Sequence, residues 1–291
     1  IAMIERFIKK TEFADYEDFM QNFEVQVPEG FNFAYDVVDA YAKEQPEKEA
    51  ILWTNDRGDV RHCNYRELKN LSDKAASYFV QLGIKRGDCV MLILKRRLEW
   101  WRVMVALHKI GAVAIPATHL LTDKDIIYRC HEASVRMIVT VGDAEVVRNV
   151  IRARPYCGTL QHCVSIGHNG PQGRESLLRG MTAAPRFVSQ KGQNKNTDNF
   201  LMYFTSGTSG EPKMVMHDFT YPLGHNVTAK YWHKLHDASC HLTVADTGWA
   251  KAVWGKFYGQ MIAGATVFVY DFEGRFRPDR MLRVIEKFHV T

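Results

Sequence analysis

Residues 205–213 read Thr-Ser-Gly-Thr-Ser-Gly-Glu-Pro-Lys, a stretch rich in hydroxyl residues and glycines that ends in a lysine. They follow an apolar run, residues 200–204, whose aromatic content and length are typical of a short buried strand. Glycines let backbone amides approach an anion, hydroxyls donate further hydrogen bonds, and the lysine adds a positive charge. A strand followed by such a loop predicts phosphate binding. The alternative is an ordinary polar surface turn, because the same residue types fill loops.

Length and composition are those of an ordinary globular protein with one large or two smaller domains. The chain has 291 residues, of which 46% are hydrophobic and 24% charged. No apolar run has the length of a membrane span, and the N-terminus shows no signal-peptide pattern. Six cysteines occur without a CxxC pair: Cys63, Cys89, Cys130, Cys157, Cys163 and Cys240. We therefore expect reduced thiols and a cytoplasmic protein.

The net charge of +5 is mild, and its clearest source is a cluster of basic residues. The members are Lys85, Arg86, Lys95, Arg96, Arg97 and Arg102. Such clusters are most often solvated faces, and a phosphate-rich ligand or a nucleic acid is the alternative. The interleaved aromatics and glycines of an RNA-binding sheet are absent here, so no nucleic-acid partner is predicted.

Strand-like and helix-like segments alternate along most of the chain. This alternation predicts an α/β fold of mostly parallel sheets with helices on both faces. Residues 171–199, with Pro171 and Gly173, are less regular and mark a candidate boundary. The expected domains are an N-terminal extension (1–30), a first α/β subdomain (31–190), and the loop with the start of a second subdomain (191–291). Within the last part, residues 225–235 and 253–262 are predicted helices, and 241–245 is a predicted strand.

The end of the chain suggests an interrupted unit. The last predicted helix, which starts near Pro278, is followed only by residues 289–291, where a returning strand is expected. We therefore expect the chain to be the N-terminal part of a longer protein, with the C-terminal part missing.

The loop does not follow the commonest nucleotide-binding pattern. A P-loop has its lysine directly after a glycine and then a hydroxyl residue, whereas Glu211 and Pro212 precede Lys213 here and Met214 follows it. The dinucleotide pattern GxGxxG is also absent. A P-loop kinase or ATPase is therefore disfavoured.

Residues 203–213 resemble the phosphate-loop signature of the adenylate-forming superfamily, with hydroxyls, glycines, proline and lysine in register. Met214, where many members have glycine, is more similar to medium-chain and related short-chain, acetyl-CoA-synthetase-like, AMP-forming acyl-CoA synthetases. The resemblance continues in residues 109–116, 246–249 and 264–267, and Phe31-Asn32-Phe33-Ala34 is similar to the subgroup's N-terminal region. It thus covers nearly the whole chain from about Phe31 onward.

This resemblance implies an acid–thiol ligase that uses ATP, a carboxylate and coenzyme A, with Mg²⁺ assisting. A carboxylate would attack the α-phosphate of ATP, and the thiol of coenzyme A would then displace AMP. The β- and γ-phosphates would be bound by Thr205, Ser206, Gly207, Thr208, Ser209, Gly210 and Lys213. Thr205 and Lys213 are the residues expected to act in catalysis. Because other family elements lie further along, we expect this chain alone not to turn over.

The same resemblance assigns Asp246-Thr247-Gly248-Trp249 to the segment that reaches the acyl pocket. Trp249 is the main candidate wall, with Ala250, Lys251 and Trp254 as neighbours. A core aromatic is the alternative for Trp249. Lys251 is unexpected beside an apolar acyl chain, so it points elsewhere or favours a short or polar acid.

Histidines near the loop allow two further readings. His217 could orient substrate, or it could cap a helix or be solvated. The group His225, His233, His236, Cys240 and His241 is dense. Only His233 and His236 share a helical face, however, and no second ligand pair has a zinc spacing, so no metal site is predicted.

Two other functions stay open at this point. The first is adenylation for a carrier-protein thiol, and the second is a non-catalytic nucleotide-binding or assembly module on the same fold. The sequence does not identify the carboxylic acid, since one methylene in a pocket changes binding by only about 1–3 kcal/mol. It also leaves the oligomeric state open.

Overall fold

A computed structural model describes residues 1–167, 175–208 and 210–291. Pro171 and Gly173 of the predicted boundary and Ser209 of the predicted phosphate loop lie outside the described residues. None of the helices in the described ranges is both long and apolar enough to cross a membrane.

The first half of the chain alternates helices and strands as predicted. Its regular elements are α1 (Tyr16–Asn22), α2 (Ala40–Glu44), β1 (Glu49–Asn55), β2 (Val60–Asn64), α3 (Tyr65–Gln81), β3 (Cys89–Ile93), α4 (Leu98–Ile110), β4 (Val113–Pro116), α5 (Asp123–Ala133), β5 (Met137–Thr140) and α6 (Ala144–Ala153). Short 3-10 turns lie at Met3–Arg6 and Arg154–Tyr156, and a π-helical turn, Ala34–Asp39, leads into α2.

The second half has shorter elements. They are β6 (His162–Ser165), β7 (Glu175–Ser176), α7 (Leu177–Ala183), β8 (Asn199–Thr205), β9 (Lys213–Asp218), α8 (Tyr221–Gly224), β10 (Cys240–Leu242), α9 (Lys251–Gly255), α10 (Tyr258–Ile262), β11 (Thr266–Asp271) and α11 (Pro278–Lys287). A π-helical turn, Thr228–Trp232, follows α8.

Seven strands form the larger sheet in the order β7-β6-β5-β3-β4-β8-β9. Every neighbouring pair is parallel except β8 and β9, which form an antiparallel hairpin at one edge. The central strands are buried along their length, as expected for parallel strands covered on both faces. The mostly parallel α/β fold predicted from the sequence is confirmed.

Four strands form a second sheet in the order β10-β11-β1-β2. Strand β1 pairs in parallel with β11, and β1 and β2 form an antiparallel hairpin. Sheet pairing therefore crosses the predicted boundary between residues 190 and 191 in both directions. Strands β8 and β9 join the first sheet, whereas β1 and β2 join the second. The division into subdomains remains a prediction.

A continuous apolar core lies between the sheets and their helices. The ring of Phe257 packs edge-on against Trp100 and Phe33, with centroids 5.4 Å and 5.1 Å apart. Aromatic pairs of this geometry contribute about 0.5–1.5 kcal/mol beyond their buried area. The core thus joins the two sheets into one packed body.

Three local expectations differ from the structure. The stretch 171–199, predicted to be irregular, contains α7 among its described residues. The predicted helix 225–235 contains the π-helical turn Thr228–Trp232, whereas α8 ends before it, and 253–262 is divided between α9 and α10. The predicted strand 241–245 ends at Leu242. Side chains bind the carbonyls beyond Leu242, so they replace the ladder of a continuing strand.

Several side chains of the basic cluster at residues 85–102 form ion pairs that connect parts of the fold, so the cluster is not simply a solvated face. Arg97 forms a two-point ion pair with the buried Asp271 on β11, at 2.7 Å and 2.9 Å. Lys95 pairs with Asp143, and Arg102 pairs with Glu67 at 3.1 Å. Because Arg97 follows β3 and Asp271 belongs to β11, this pair ties the first sheet to the second.

Candidate phosphate-binding and acyl site

The predicted phosphate loop closes the β8–β9 hairpin. Thr205 and Lys213 are paired across the two strands, so residues 206–212 form the connection. Gly210 has φ of +87°, in the left-handed region where glycine carries no steric penalty. The strand predicted from the aromatic run at 200–204 is confirmed, because β8 spans it.

Lys213 folds back over the loop. A Cβ atom on Gly207 would lie 3.6 Å from Lys213 Cε and 3.9 Å from its Cδ, so the lysine side chain runs beside the Gly207 backbone. The side chains of Thr205, Ser206 and Thr208 are exposed to solvent. The hairpin therefore places a cation, exposed hydroxyls and glycine backbone on one accessible turn, and these groups can bind a polyphosphate.

Helix α5 supports the far side of the loop. The hydroxyl of Tyr128 donates a hydrogen bond of 2.8 Å to the Pro212 carbonyl. The guanidinium of Arg129 lies 5.1 Å from the centroid of the Phe204 ring on β8. Sequence reasoning missed both residues, because only the chain crossing brings α5 to this hairpin.

The turn at residues 246–249 packs directly on the end of β4. A Cβ atom on Gly248 would lie 2.5 Å from Thr118 Cα, a separation that side chains do not tolerate. The Gly248 amide donates to Asp246 Oδ1 at 2.8 Å, and the Thr247 hydroxyl donates to the Lys95 carbonyl. A glycine is thus required here by close backbone approach.

The carboxylate of Asp246 has a neighbour that only the fold brings to it. Its Oδ2 lies 3.7 Å from His119 Nδ1, which comes from the segment after β4. Burial by itself would raise the pKa of Asp246, but the nearby His119 side chain, the hydrogen bond from the Gly248 amide and the charge of Arg96 lower it below its usual value. Asp246 is therefore an anion held beneath this turn.

The four residues predicted for the acyl pocket lie in different surroundings and do not line one cavity together. Trp249 is 55% exposed, Lys251 is exposed, and Ala250 packs against the core. Trp254 lines an open cavity of about 670 Å³. The other lining residues are His225, Val227, Thr228, Tyr231 and Trp232. This lining contains no lysine, arginine or carboxylate.

A row of rings connects the phosphate hairpin to that cavity. His217, on β9, stacks on Tyr221 with ring centroids 3.8 Å apart, and Tyr221 meets His225 edge-on at 4.4 Å. Burial lowers the pKa of His217 and lowers that of His225 to about 3. His217 is thus half-buried and stacked in this structure, not a solvated or helix-capping side chain.

The remaining histidines in the described part of the chain give no metal cluster. The rings of His233 and His241 lie 4.5 Å apart, and His241 bonds to the Thr243 hydroxyl at 3.1 Å. Across the ranges 1–167, 175–208 and 210–291, no three histidine, cysteine or acidic side chains are arranged to hold a metal ion.

Comparison with known families agrees with this geometry. The sequence matches the family described as AMP-binding enzyme over residues 38–291, a span that includes both the loop and the 246–249 turn. The chain belongs to the AMP-binding enzyme family.

Several curated relatives are acyl-coenzyme A synthetases. ACSM3, mitochondrial, of Pongo abelii is 34% identical over 288 residues, which cover 96% of this chain and 48% of the relative. The Homo sapiens ACSM3 is 33% identical over 287 residues with the same coverage, and ACSM4, mitochondrial, of Homo sapiens is 33% identical over 273 residues. The chain therefore spans about half the length of these relatives.

Solved structures share the fold. The anthranilate CoA ligase AuaEII, in complex with anthranoyl-AMP, superposes with a TM-score of 0.79 at 21% identity, over 91% of this chain and 49% of that one. An acyl-CoA synthetase of Brucella canis gives a TM-score of 0.78 at 20% identity, over 90% and 46%. At these identities the similarity establishes the architecture alone.

The expected cytoplasmic location is wrong by this comparison, because the relatives are named mitochondrial. The expectation rested on reduced cysteines, and no disulfide joins the cysteines within the described ranges. Free thiols persist in any reducing compartment, so they do not distinguish one such compartment from another.

Proposed function

We propose that this chain supplies the phosphate-binding and acyl-binding part of an AMP-forming acyl-CoA synthetase. The observation that carries the proposal is the β8–β9 hairpin, on which Lys213 lies beside Gly207 among exposed hydroxyls. Membership of the AMP-binding enzyme family supports the assignment to ATP.

The hairpin residues would bind the β- and γ-phosphates of ATP. Lys213 would contribute its charge, Thr205 and Thr208 would donate hydroxyl hydrogen bonds, and the amides of Gly207 and Gly210 would approach the anion. Ser206 and Ser209 complete the proposed set. Because Tyr128 holds the Pro212 carbonyl, the loop would keep its shape when the anion binds.

The proposed reaction has two steps. A carboxylate oxygen attacks the α-phosphorus of ATP, the bond to the bridging oxygen breaks, and pyrophosphate leaves with that electron pair. The thiolate of coenzyme A then attacks the acyl carbon, and AMP leaves as the acyl–oxygen bond breaks. Lys213 and Thr205 would act on the first step by stabilising charge as it moves to pyrophosphate.

The described residues do not form a protein-held Mg²⁺ site at this loop. The loop brings one carboxylate, Glu211, and no cluster of three metal-ligating side chains occurs in the described ranges. Mg²⁺ normally takes one or two carboxylates together with substrate phosphates. In this proposal any Mg²⁺ therefore arrives with ATP, and no step depends on a residue of this loop holding it.

The acyl part of the substrate would lie along the turn at Trp249 and extend toward the cavity at Trp254. Ala250 would contribute a small apolar wall, and Lys251, which is exposed, would point away from the acyl chain. The uncharged cavity lining favours an apolar chain or ring over a polar acid. A short- or medium-chain aliphatic acid would place the reaction in fatty acid metabolism.

Carboxylate-dependent exchange of labelled pyrophosphate into ATP tests this function in the natural protein that carries the sequence. We expect exchange with at least one acid from a series of two to ten carbons, and a loss of at least about tenfold in Lys213→Met. Absence of exchange with every acid would contradict adenylation and favour a non-catalytic module. Transfer to a carrier-protein thiol but not to coenzyme A would indicate the carrier-protein alternative.

A further inference from the structure

Lys256 is a fully buried lysine without a carboxylate partner. The residue is 1% exposed, and none of the ion pairs within the described ranges includes it. Lys109, which is also fully buried, forms ion pairs with the carboxylates of Asp39 at 2.8 Å and Asp73 at 2.6 Å. Burying an amine away from water is costly unless its hydrogens are bonded. The contacts of Lys256 therefore indicate what it does.

Among the described residues, the Lys256 amine donates to backbone carbonyls alone. Its Nζ bonds to the Ala245 carbonyl and, at 3.3 Å, to the Thr243 carbonyl. Arg96 Nη2 donates to the carbonyl between them, that of Val244, at 3.3 Å. Three consecutive carbonyls are thus bound by the side chains of two basic residues.

This arrangement explains why β10 stops at Leu242. Carbonyls that leave a sheet must find other donors when they are not exposed to water. Here the donors come from the end of α9 and from the segment after β3. Residues 243–245 run directly into the turn at residues 246–249, which packs on Ala117 and Thr118.

Lys256 is itself held in place by the core. Its amide donates to the Ala252 carbonyl at 2.9 Å, and its carbonyl accepts from the indole of the buried Trp101 at 3.0 Å. The amine therefore projects from a fixed point of the backbone. A fixed donor can set the position of a segment that lacks strand pairing of its own.

The electrostatic surroundings agree with a lysine that acts through its hydrogen bonds. Burial lowers the pKa of Lys256 to about 7, the charge of Arg96 lowers it further, and Asp246 and Asp271 oppose that change. Protonated or neutral, the amine carries at least two hydrogens, which is the number the two carbonyls need.

We propose that Lys256 is a positioning residue that fixes residues 243–245 and thereby sets where Trp249 stands at the acyl site. The part of this inference that concerns substrate rests on the proposed function. The part that concerns the backbone does not, because it follows from the contacts of Lys256 alone.

Hydrogen–deuterium exchange on this chain tests the backbone part. Lys256→Met keeps most of the side-chain volume and removes the donors, and Lys251→Met, which changes an exposed lysine at the start of α9, is the matched control. We expect exchange in a peptide covering 243–250 to rise at least tenfold in Lys256→Met, with no change in a peptide covering β8. Should Lys256→Met not fold, Lys256→Gln, which retains a shorter donor, is measured in its place with the same expectation.

Unchanged exchange at 243–250 in the folded variant would overturn the proposal, and so would an equal rise throughout the chain.

Steady-state kinetics of the natural protein test the substrate part. We expect the KM for the carboxylate to rise at least tenfold while the KM for ATP stays within twofold. If the wild-type protein activates no acid, the proposed function fails, and the exchange experiment still decides the role of Lys256.

Discussion

Thr205 and Lys213 face each other at the loop end of the β8–β9 hairpin. Eight positions separate them in sequence, yet the strand pairing makes them neighbours and turns the lysine side chain back over Gly207. A cation and a hydroxyl thus lie at the two ends of one loop. This relationship supports the proposed anion site, where the sequence alone also allowed an ordinary turn.

Replacing the loop lysine should weaken anion binding without unfolding the chain. For Lys213→Met we expect the affinity for tripolyphosphate to fall at least about tenfold, which corresponds to about 1.4 kcal/mol, because one charge-assisted contact is lost. Isothermal titration calorimetry measures it. Lys195→Met, which changes another exposed lysine, should bind as the wild type does. Equal affinity of Lys213→Met and wild type would remove Lys213 from the site.

Adding one methyl group at Gly248 should destabilise the chain. A Cβ there would lie 2.5 Å from Thr118 Cα, so Gly248→Ala forces the backbone apart, at a cost of about 1–3 kcal/mol. Urea denaturation measures the change in the free energy of unfolding. The matched control is Gly158→Ala, because no atom lies within 4 Å of a Cβ at that position and it should change little.

Acid should unfold the chain partly through buried neutral histidines. Burial lowers the pKa of His108 to about 3, whereas an unfolded histidine titrates near 6.5. Below pH 6.5 the unfolded state therefore binds a proton that the folded state does not. The contribution of neutral His108 to the free energy of unfolding is complete above that pH. It falls by about 1.4 kcal/mol for each pH unit between 6.5 and about 3.

His108→Gln removes that titration. We expect its free energy of unfolding, measured in urea between pH 7 and 4.5, to fall with a shallower slope than that of the wild type. His289→Asn, at an exposed position, should keep the wild-type slope. Parallel slopes for His108→Gln and wild type would show that this histidine does not contribute to acid unfolding.

Breaking the tie between the sheets should cost more than breaking a surface ion pair. Arg97→Met leaves Asp271, which is 3% exposed, without its two hydrogen bonds from the guanidinium. Removing one partner of a buried pair typically costs about 3–5 kcal/mol, and the partial exposure of Arg97 places our expectation near the lower figure. Urea denaturation at pH 7 measures it. Arg57→Met, which removes an exposed pair with Asp59, should change stability by less than about 1 kcal/mol.

Much of the fold follows from local patterns. Strand β3 is a continuous apolar run, α3 and α4 carry apolar residues at helical spacing, and Gly111 ends α4 in the left-handed conformation. Prediction failed where long-range contacts override local preference. Residues 241–245 have strand-like composition, but Lys256 and Arg96 bind their carbonyls and end β10 early.

The candidate site divides in the same way. The phosphate loop could be predicted because its glycines, hydroxyls and lysine all lie within nine residues, so the sequence alone brings these groups together. Tyr128 and His119 could not be, because they reach the loop and Asp246 from separate crossovers. The acyl prediction lies between these cases, since Trp254 lines a cavity whereas Trp249 remains half-exposed.

The sequence by itself determined the loop, the order of strands and helices, and the resemblance to adenylate-forming enzymes, because each depends on residues close together in the chain. Tertiary structure decided which sheet each strand joined and which acidic partners the basic residues after β3 found. It also brought Lys256 to the carbonyls of Thr243 and Ala245, which precede the turn at Trp249. Those outcomes depend on contacts between distant segments. Such contacts leave no periodic pattern in the sequence, because each is formed only when the chain folds.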